Sequence, residues 1–217
     1  GKASKPMLPL IAIPTTAGTG SECQSFALIS DAVTHAKMAC GDPKAMAKGA
    51  ILDPELTLSQ PQRVTACTGI DAVAHAVESA VTRKRNETSQ QYSRVAFGLL
   101  NESLPRVLQA PDDLEARGRM LLGAAFAGTA IEHSMLGAAH SAANPLTAHF
   151  DVIHGEAVGL MLPHVVRFNG EDESISQIYA ELLECSGAPS PNGAPAHETL
   201  AVILEEFMDA AGLSCSL

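Results

Sequence analysis

The character of the sequence changes at Arg63, and this change constrains the fold more than any other feature. Upstream of it, short β-prone apolar runs end at turns rich in Thr, Gly and Pro, as buried strands do where they enter loops. These runs occupy residues 8–13, 26–30 and 50–52. Downstream of Arg63, the pattern becomes helical over long segments. The sequence therefore predicts an α/β portion over residues 1–60 and an all-helical domain over residues 61–217.

Helix-like patterning covers most of the second portion. The predicted helices span residues 64–82, 90–108, 114–131, 134–143, 176–185 and 198–211. We expect an interruption near Pro105, because proline removes a backbone donor from a helix interior. A loop rich in Pro, Gly and Ser at residues 186–197 separates the last two helices.

Charge, apolar content and cysteine spacing disfavour several classes of protein. With 14 Lys and Arg against 24 Asp and Glu, the net charge of −10 repels phosphate backbones and argues against a nucleic-acid partner. The longest apolar stretch, residues 120–131, is shorter than the roughly 20 residues of a membrane span. Five widely spaced cysteines without a C-x-x-C pair favour a reducing compartment. We therefore predict a cytoplasmic protein that binds neither nucleic acid nor membrane.

One predicted helix carries a candidate pair of metal ligands. Asp71 and His75 stand four residues apart, which places both side chains on one helix face, one turn apart. The same spacing is also typical of an ordinary hydrogen bond along a helix. Glu78 lies near the same face one turn further on, where it either orients a metal ligand without binding the metal itself or is a solvated charge.

Two further histidines extend this candidate set. His140 and His154 both lie among small apolar residues, where an imidazole has little reason to be buried without a role. One carboxylate and three imidazoles form a donor set that suits Fe²⁺ or Zn²⁺ and leaves a position open for substrate. The alternative is that both are core histidines with satisfied hydrogen bonds.

A loop dense in hydroxyls and glycine follows the first predicted strand. Its sequence, Pro-Thr-Thr-Ala-Gly-Thr-Gly-Ser-Glu at residues 14–22, lets the backbone approach a ligand and offers donors to phosphate or ribose oxygens. The loop lacks the lysine of a P-loop and does not match G-x-G-x-x-G. Taken alone, it is equally well a plain turn.

In combination, these segments resemble the iron-containing (group III) alcohol dehydrogenase family. The resemblance covers about residues 8–170, and it rests on the order and spacing of several motifs together. The matching positions are residues 14–22, Lys37 downstream of a Ser-Asp pair, residues 51–56, residues 69–78, His140 and residues 154–164. The resemblance implies the dehydroquinate synthase-like architecture, here a remnant of a dinucleotide-binding α/β domain followed by a mostly all-α metal-binding domain.

The resemblance also implies roles for individual residues. The family's metal-ligand positions fall on Asp71, His75, His140 and His154. Its cofactor-contact positions fall on Thr15, Thr16, Gly18, Thr19 and Lys37. The implied reaction is hydride transfer between an alcohol, aldehyde or ketone and NAD or NADP, assisted by Fe²⁺ or Zn²⁺, which lowers the pKa of the alcohol oxygen. We further expect a homo-oligomer, a dimer.

Departures from the family pattern leave alternatives open. Asn144 stands where many members carry a second histidine that assists proton transfer, and no other side chain is assigned a catalytic role. The family's glycine-rich phosphate-binding segment and its final helices have no counterpart here, so we expect a fragment with little turnover by itself. The alternatives are a zinc-dependent polyol dehydrogenase of the glycerol type, a dehydroquinate synthase-like lyase, or a non-catalytic helical remnant.

Overall fold

The computed structural model describes residues 4–32, 37–188 and 193–213. A small β portion precedes a helical domain, as predicted. The strands are β1 (Ile11–Ala12), β2 (Phe26–Ser30), β3 (Lys37–Gly41) and β4 (Gly49–Ala50). The α-helices are α1 (Gln62–Val81), α2 (Glu87–Gln109), α3 (Leu114–His133), α4 (Ala138–Phe150), α5 (His154–Asn169), α6 (Glu173–Ser186) and α7 (Ala196–Ala210). Short 3₁₀ helices occur at Ser21–Cys23, Pro43–Ala45 and Pro54–Thr57.

The β portion consists of two separate strand pairs. Strand β1 lies parallel to β4, with Ile11 opposite Gly49. Strands β2 and β3 are antiparallel, with Phe26 opposite Gly41. The strand predicted at 26–30 is confirmed, whereas the one predicted at 50–52 ends earlier, and β3 was not predicted.

The expectation of a buried strand over residues 8–13 is wrong. Only Ile11 and Ala12 form strand structure there. Leu8 is 89% exposed, and the large apolar side chains that follow it are about half exposed. A sheet of two short strands has too little surface to cover its own apolar side chains. The apolar run therefore remains on the surface of the described chain.

Helix α1 forms the centre of the helical domain. From Ala66 to Ala80 every residue except Thr68 is buried. Helices α2, α3, α5 and α6 pack around it, and small side chains, chiefly alanine, allow this enclosure on all sides. Polar groups on this stretch are therefore removed from water and need partners within the protein.

Three helix predictions need correction. Helix α2 continues through Pro105, because Leu104 and Val107 on either side of it are buried in the core and this packing outweighs the lost backbone bond. The helix predicted at 134–143 begins later and runs to Phe150. Helix α5 was not predicted, because glycines and a proline weaken its local helical signal.

The described residues contain neither a membrane-spanning helix nor a disulfide. No helix among them combines the length and the apolar character that crossing a membrane requires. The described cysteines, Cys23, Cys40, Cys67 and Cys185, are all free thiols.

Candidate metal centre and cofactor loop

Helix α1 presents three chemically active side chains to the interior. Asp71 and His75 are each 5% exposed and Glu78 is 2% exposed. The helical spacing places Asp71 Oδ1 and His75 Nε2 3.4 Å apart. Of the two interpretations of Glu78, the solvated charge is therefore wrong.

Helices α4 and α5 bring the other two histidines to the same carboxylate. His140 Nε2 lies 3.2 Å from Asp71 Oδ1, and His154 Nε2 lies 3.8 Å from it. The ring of His140 stacks on that of His75, with centroids 4.9 Å apart, and meets the ring of His154 edge-on at 5.4 Å. Three imidazole nitrogens thus surround one carboxylate oxygen.

This arrangement offers a donor set for a metal ion. One donor atom from each of Asp71, His140 and His154 lies within 4.8 Å of the other two. His75 contacts the same carboxylate from its own helix, and its buried Nδ1 has no hydrogen-bond partner within the described chain. The described structure therefore groups three of the four predicted ligands and places the fourth, His75, beside Asp71, while the role of all four as ligands stays a prediction.

Buried charge gives the cluster its electrostatic character. Burial raises the pKa of Asp71, but the neighbouring histidines outweigh it and hold that pKa below its usual range. Burial lowers the pKa of His75 to about 4, although the negative charge of Asp71 acts to raise it. Burial also opposes protonation of His140, yet hydrogen bonds to Asp71 and Glu78 raise its pKa to about 9. Neither Asp71 nor Glu78 pairs with a lysine or arginine among the described residues. The compensating charge for these carboxylates therefore comes from the imidazoles.

Two glycines of α5 allow His154 to reach the cluster. A Cβ at Gly155 would overlap the carbonyl oxygen of Cys67 on α1. One at Gly159 would overlap Met208 of α7 and would lie 2.7 Å from a methyl carbon of Ile70 on α1. Glycine at these positions lets α5 approach α1 closely, which fixes the start of α5 next to Asp71.

The loop over residues 14–20 lies against the helices that build the cluster. A Cβ at Gly18 would lie 2.5 Å from that of Thr68, one turn before Asp71 on α1. Gly20 has a φ of 61° and packs against Gly128 of α3. These contacts hold the loop against α1 and α3.

The predicted cofactor contacts differ in accessibility. Thr15 and Thr19 are exposed, Thr16 is partly buried and Gly18 is buried. The Thr19 hydroxyl lies 3.2 Å from that of Ser21. Lys37 begins β3, and its side chain lies outside the described part of the structure.

Sequence reasoning missed a contact between α3 and the chain just before β2. Ser25 donates from its backbone N–H and from its hydroxyl to the two carboxylate oxygens of Glu132, at 2.8 and 2.7 Å. Glu132 belongs to α3, directly after the apolar stretch 120–131. A charge at the end of such a stretch is the one available signal, and it does not identify a partner 107 residues away.

Asn144 lies one turn after His140 on α4. Its side chain is exposed, whereas His140 is 4% exposed. The two residues therefore share a helix face but differ in access to solvent.

Two protein-family models match most of the chain. The family described as Fe-containing alcohol dehydrogenase family, C-terminal, matches residues 65–217, and the one described as iron-containing alcohol dehydrogenase matches residues 1–54. The NAD-dependent methanol dehydrogenase of Bacillus methanolicus is 37% identical over 207 residues, and aldehyde-alcohol dehydrogenase 2 of Entamoeba histolytica is 38% identical over 213 residues.

Solved structures show the same architecture. An alcohol dehydrogenase from Oenococcus oeni superposes on 99% of the chain with a TM-score of 0.91 and 30% identity. A 1,3-propanediol oxidoreductase covers 98% with a TM-score of 0.90 and 28% identity.

The chain is shorter than these relatives. It spans 53% of the methanol dehydrogenase, 24% of the aldehyde-alcohol dehydrogenase and 56% of each of the two solved chains. The family matches nevertheless cover most of its residues. The chain belongs to the iron-containing alcohol dehydrogenase family.

Proposed function

We propose that the protein acts in metal-dependent hydride transfer between a small alcohol, or the corresponding aldehyde or ketone, and NAD or NADP. The observation that carries this proposal is the buried Asp71 oxygen, which three imidazole nitrogens face. The names of its relatives, an NAD-dependent methanol dehydrogenase and a 1,3-propanediol oxidoreductase, support the substrate class.

The donor chemistry fits Fe²⁺ or Zn²⁺. Asp71, His75, His140 and His154 would hold the ion, since one carboxylate and three imidazoles suit both metals. When bound, the metal supplies Lewis acidity, which lowers the pKa of the substrate hydroxyl and favours hydride loss from the adjacent carbon.

The exposure of the four proposed ligands sets the direction from which substrate reaches the metal site. Asp71, His75 and His140 are buried, while the side chain of His154 is 32% exposed. Substrate therefore approaches from the side of His154. The burial of the other three excludes bulk water, which strengthens electrostatic interactions at the reacting centre.

The loop over residues 14–20 would hold the nicotinamide cofactor. The exposed hydroxyl of Thr15 is available as a hydrogen-bond donor, that of Thr19 donates to the Ser21 hydroxyl, and Gly18 keeps the loop close to α1. In this proposal residues 1–60 supply cofactor contacts, and residues 61–217 supply the metal ligands. We also propose a cytoplasmic homodimer.

The test is alcohol-dependent reduction of NAD or NADP by the metal-loaded protein. The assay uses the protein in its full natural length, because the chain described above spans about half of its solved relatives. We expect turnover that a chelator abolishes and that Fe²⁺ or Zn²⁺ restores. Full metal occupancy without turnover of any alcohol or aldehyde would contradict the proposal, as would turnover that is insensitive to metal removal.

Replacing Asn144 with His is expected to change the pH dependence of turnover. The exposed amide of Asn144 hydrogen-bonds but does not titrate near neutrality, whereas an imidazole one turn from His140 exchanges protons with solvent. We expect the pH profile of kcat for the variant to gain an ionisation between about pH 6 and 7. Identical profiles for the active parent and the variant would rule out a proton-transfer position at residue 144.

A further inference from the structure

The carboxylate of Glu78 is buried and uses both of its oxygens. Oε2 lies 2.5 Å from His140 Nδ1, and Oε1 accepts the backbone N–H of Ala139 at 2.6 Å. The residue is 2% exposed. A buried carboxylate is costly unless it is paired and hydrogen-bonded, so a side chain in this position requires an explanation.

One of these bonds fixes the start of α4. The N-cap residue of this helix is Gly137, and no side chain of the N-cap provides a hydrogen bond. Glu78 supplies the missing acceptor from α1. A Cβ at Gly137 would lie 2.7 Å from Glu78 Oε1, so glycine there leaves room for the carboxylate. Helix α4 thus begins at a point set by α1.

The other bond fixes the state of the His140 ring. An ionised carboxylate only accepts hydrogen bonds, so Nδ1 of His140 carries the hydrogen. Nε2 faces a second carboxylate oxygen, Asp71 Oδ1, at 3.2 Å, so in the described geometry it donates as well. A metal ion that replaced the Nε2 hydrogen would leave a neutral ring with Nδ1–H and with the Nε2 lone pair on the ion. A carboxylate behind a metal-binding histidine orients such a ring and raises its basicity.

We propose that Glu78 is a positioning residue that holds His140 in the tautomer and orientation required to bind a divalent metal through Nε2. The proposal rests on the proposed function, because it assigns His140 as a ligand. It extends that function to a second carboxylate outside the donor set.

Charge balance supports this role. The described part of the chain places no lysine or arginine in an ion pair with Asp71 or Glu78. A divalent cation with three neutral imidazoles is neutralised by two carboxylates and not by one. Removing the charge of Glu78 would leave an uncompensated buried charge, which is unfavourable in a low-dielectric interior.

The Glu78→Gln variant tests the proposal. Glutamine keeps the size of the side chain, but its amide has one acceptor oxygen for two donors, Ala139 N–H and His140 Nδ1–H. If the amide nitrogen faces His140, Nδ1 becomes the acceptor and Nε2 carries the hydrogen, which prevents metal binding. We expect the affinity for Zn²⁺, measured by competition with a chromophoric chelator, to fall about 10–100-fold.

Two further variants separate positioning from stability. Glu132→Gln removes the charge of another helical carboxylate that accepts two hydrogen bonds, both from Ser25, and it leaves the cluster intact. We expect a lower melting temperature with unchanged Zn²⁺ affinity. Gly137→Ala keeps the Glu78 carboxylate but displaces it, and we expect weaker Zn²⁺ binding from a folded protein.

The state of the His140 ring provides the readout that a purely structural role would not change. Long-range ¹H–¹⁵N NMR of the zinc-loaded protein distinguishes the two imidazole tautomers. We expect Nδ1–H for His140 in the parent and loss of that signal in Glu78→Gln. If the parent binds Zn²⁺ and both Glu78→Gln and Gly137→Ala match its affinity and ring signals, the role of Glu78 is overturned and the metal site stands. If the parent binds no metal, the proposed function fails, and the role of Glu78 fails with it.

Discussion

Replacing Asp71 with Asn is expected to lower the affinity for Zn²⁺ or Co²⁺ by more than about 100-fold, since losing a direct ligand exceeds the roughly 10–100-fold cost of losing an outer partner. Asp71 Oδ1 faces the Nε2 atoms of all three histidines. Asparagine preserves the volume of the side chain but removes its charge. The lost affinity is measured by competition titration, with circular dichroism to verify the fold.

A matched variant controls for the loss of charge alone. Asp112→Asn makes the same change at an exposed position between α2 and α3. We expect it to leave metal affinity unchanged and stability little changed, because the attraction between this exposed carboxylate and Arg117 is weakened by solvent. Equal affinities for Asp71→Asn and the parent would place the metal elsewhere in the protein.

Replacing Gly155 with Ala is expected to destabilise the fold by about 1–3 kcal/mol, the usual cost of overpacking, and to weaken metal binding. The added methyl group would overlap the Cys67 carbonyl oxygen. Backbone atoms cannot rotate away as a flexible side chain can, so α5 must move away from α1. This movement displaces His154, the first residue of α5, from Asp71. We expect the affinity for Zn²⁺ to fall about 10-fold or more, as when support of a ligand is lost.

The matched control for this variant is Gly118→Ala in α3. A Cβ at Gly118 would make only an ordinary contact with Pro54, at 3.8 Å. Alanine also favours the helix over glycine by roughly 0.5–1 kcal/mol, so we expect equal or higher stability and unchanged affinity. Urea unfolding and Zn²⁺ titration measure both quantities. A Gly155→Ala protein that is as stable and binds as tightly as the parent would show that the α1–α5 contact does not position His154.

The sequence predicts local geometry better than long-range geometry. The four-residue spacing of Asp71 and His75 needs only a helix to place them on one face, and the helix forms as expected. Periodicity contains no information that brings His140 and His154 to the same carboxylate, because two other helices deliver them. Their small apolar surroundings made these two histidines candidates, and the resemblance to a family assigned them to the same metal site as Asp71 and His75. Whether the Glu78 side chain is buried or solvated also depends on tertiary packing, because the answer is set by how the other helices enclose α1.

The errors in the fold have a common physical origin. Helix α5 was not predicted because Gly155, Gly159 and Pro163 weaken the helical pattern of its sequence. The same glycines allow close contact with α1. The apolar run at 8–13 suggested burial, yet the two-stranded sheet of the described chain leaves it exposed. In each case tertiary packing, and not local preference, decided the outcome.

The central claim is that Asp71, His75, His140 and His154 bind one divalent metal ion. Anomalous diffraction from crystals of the protein grown with Zn²⁺ tests it most directly. We predict one peak per chain, at about 2.0–2.2 Å from an Asp71 carboxylate oxygen and from the Nε2 atoms of the three histidines. Zinc bound only at surface carboxylates, with no peak beside Asp71, would contradict the account.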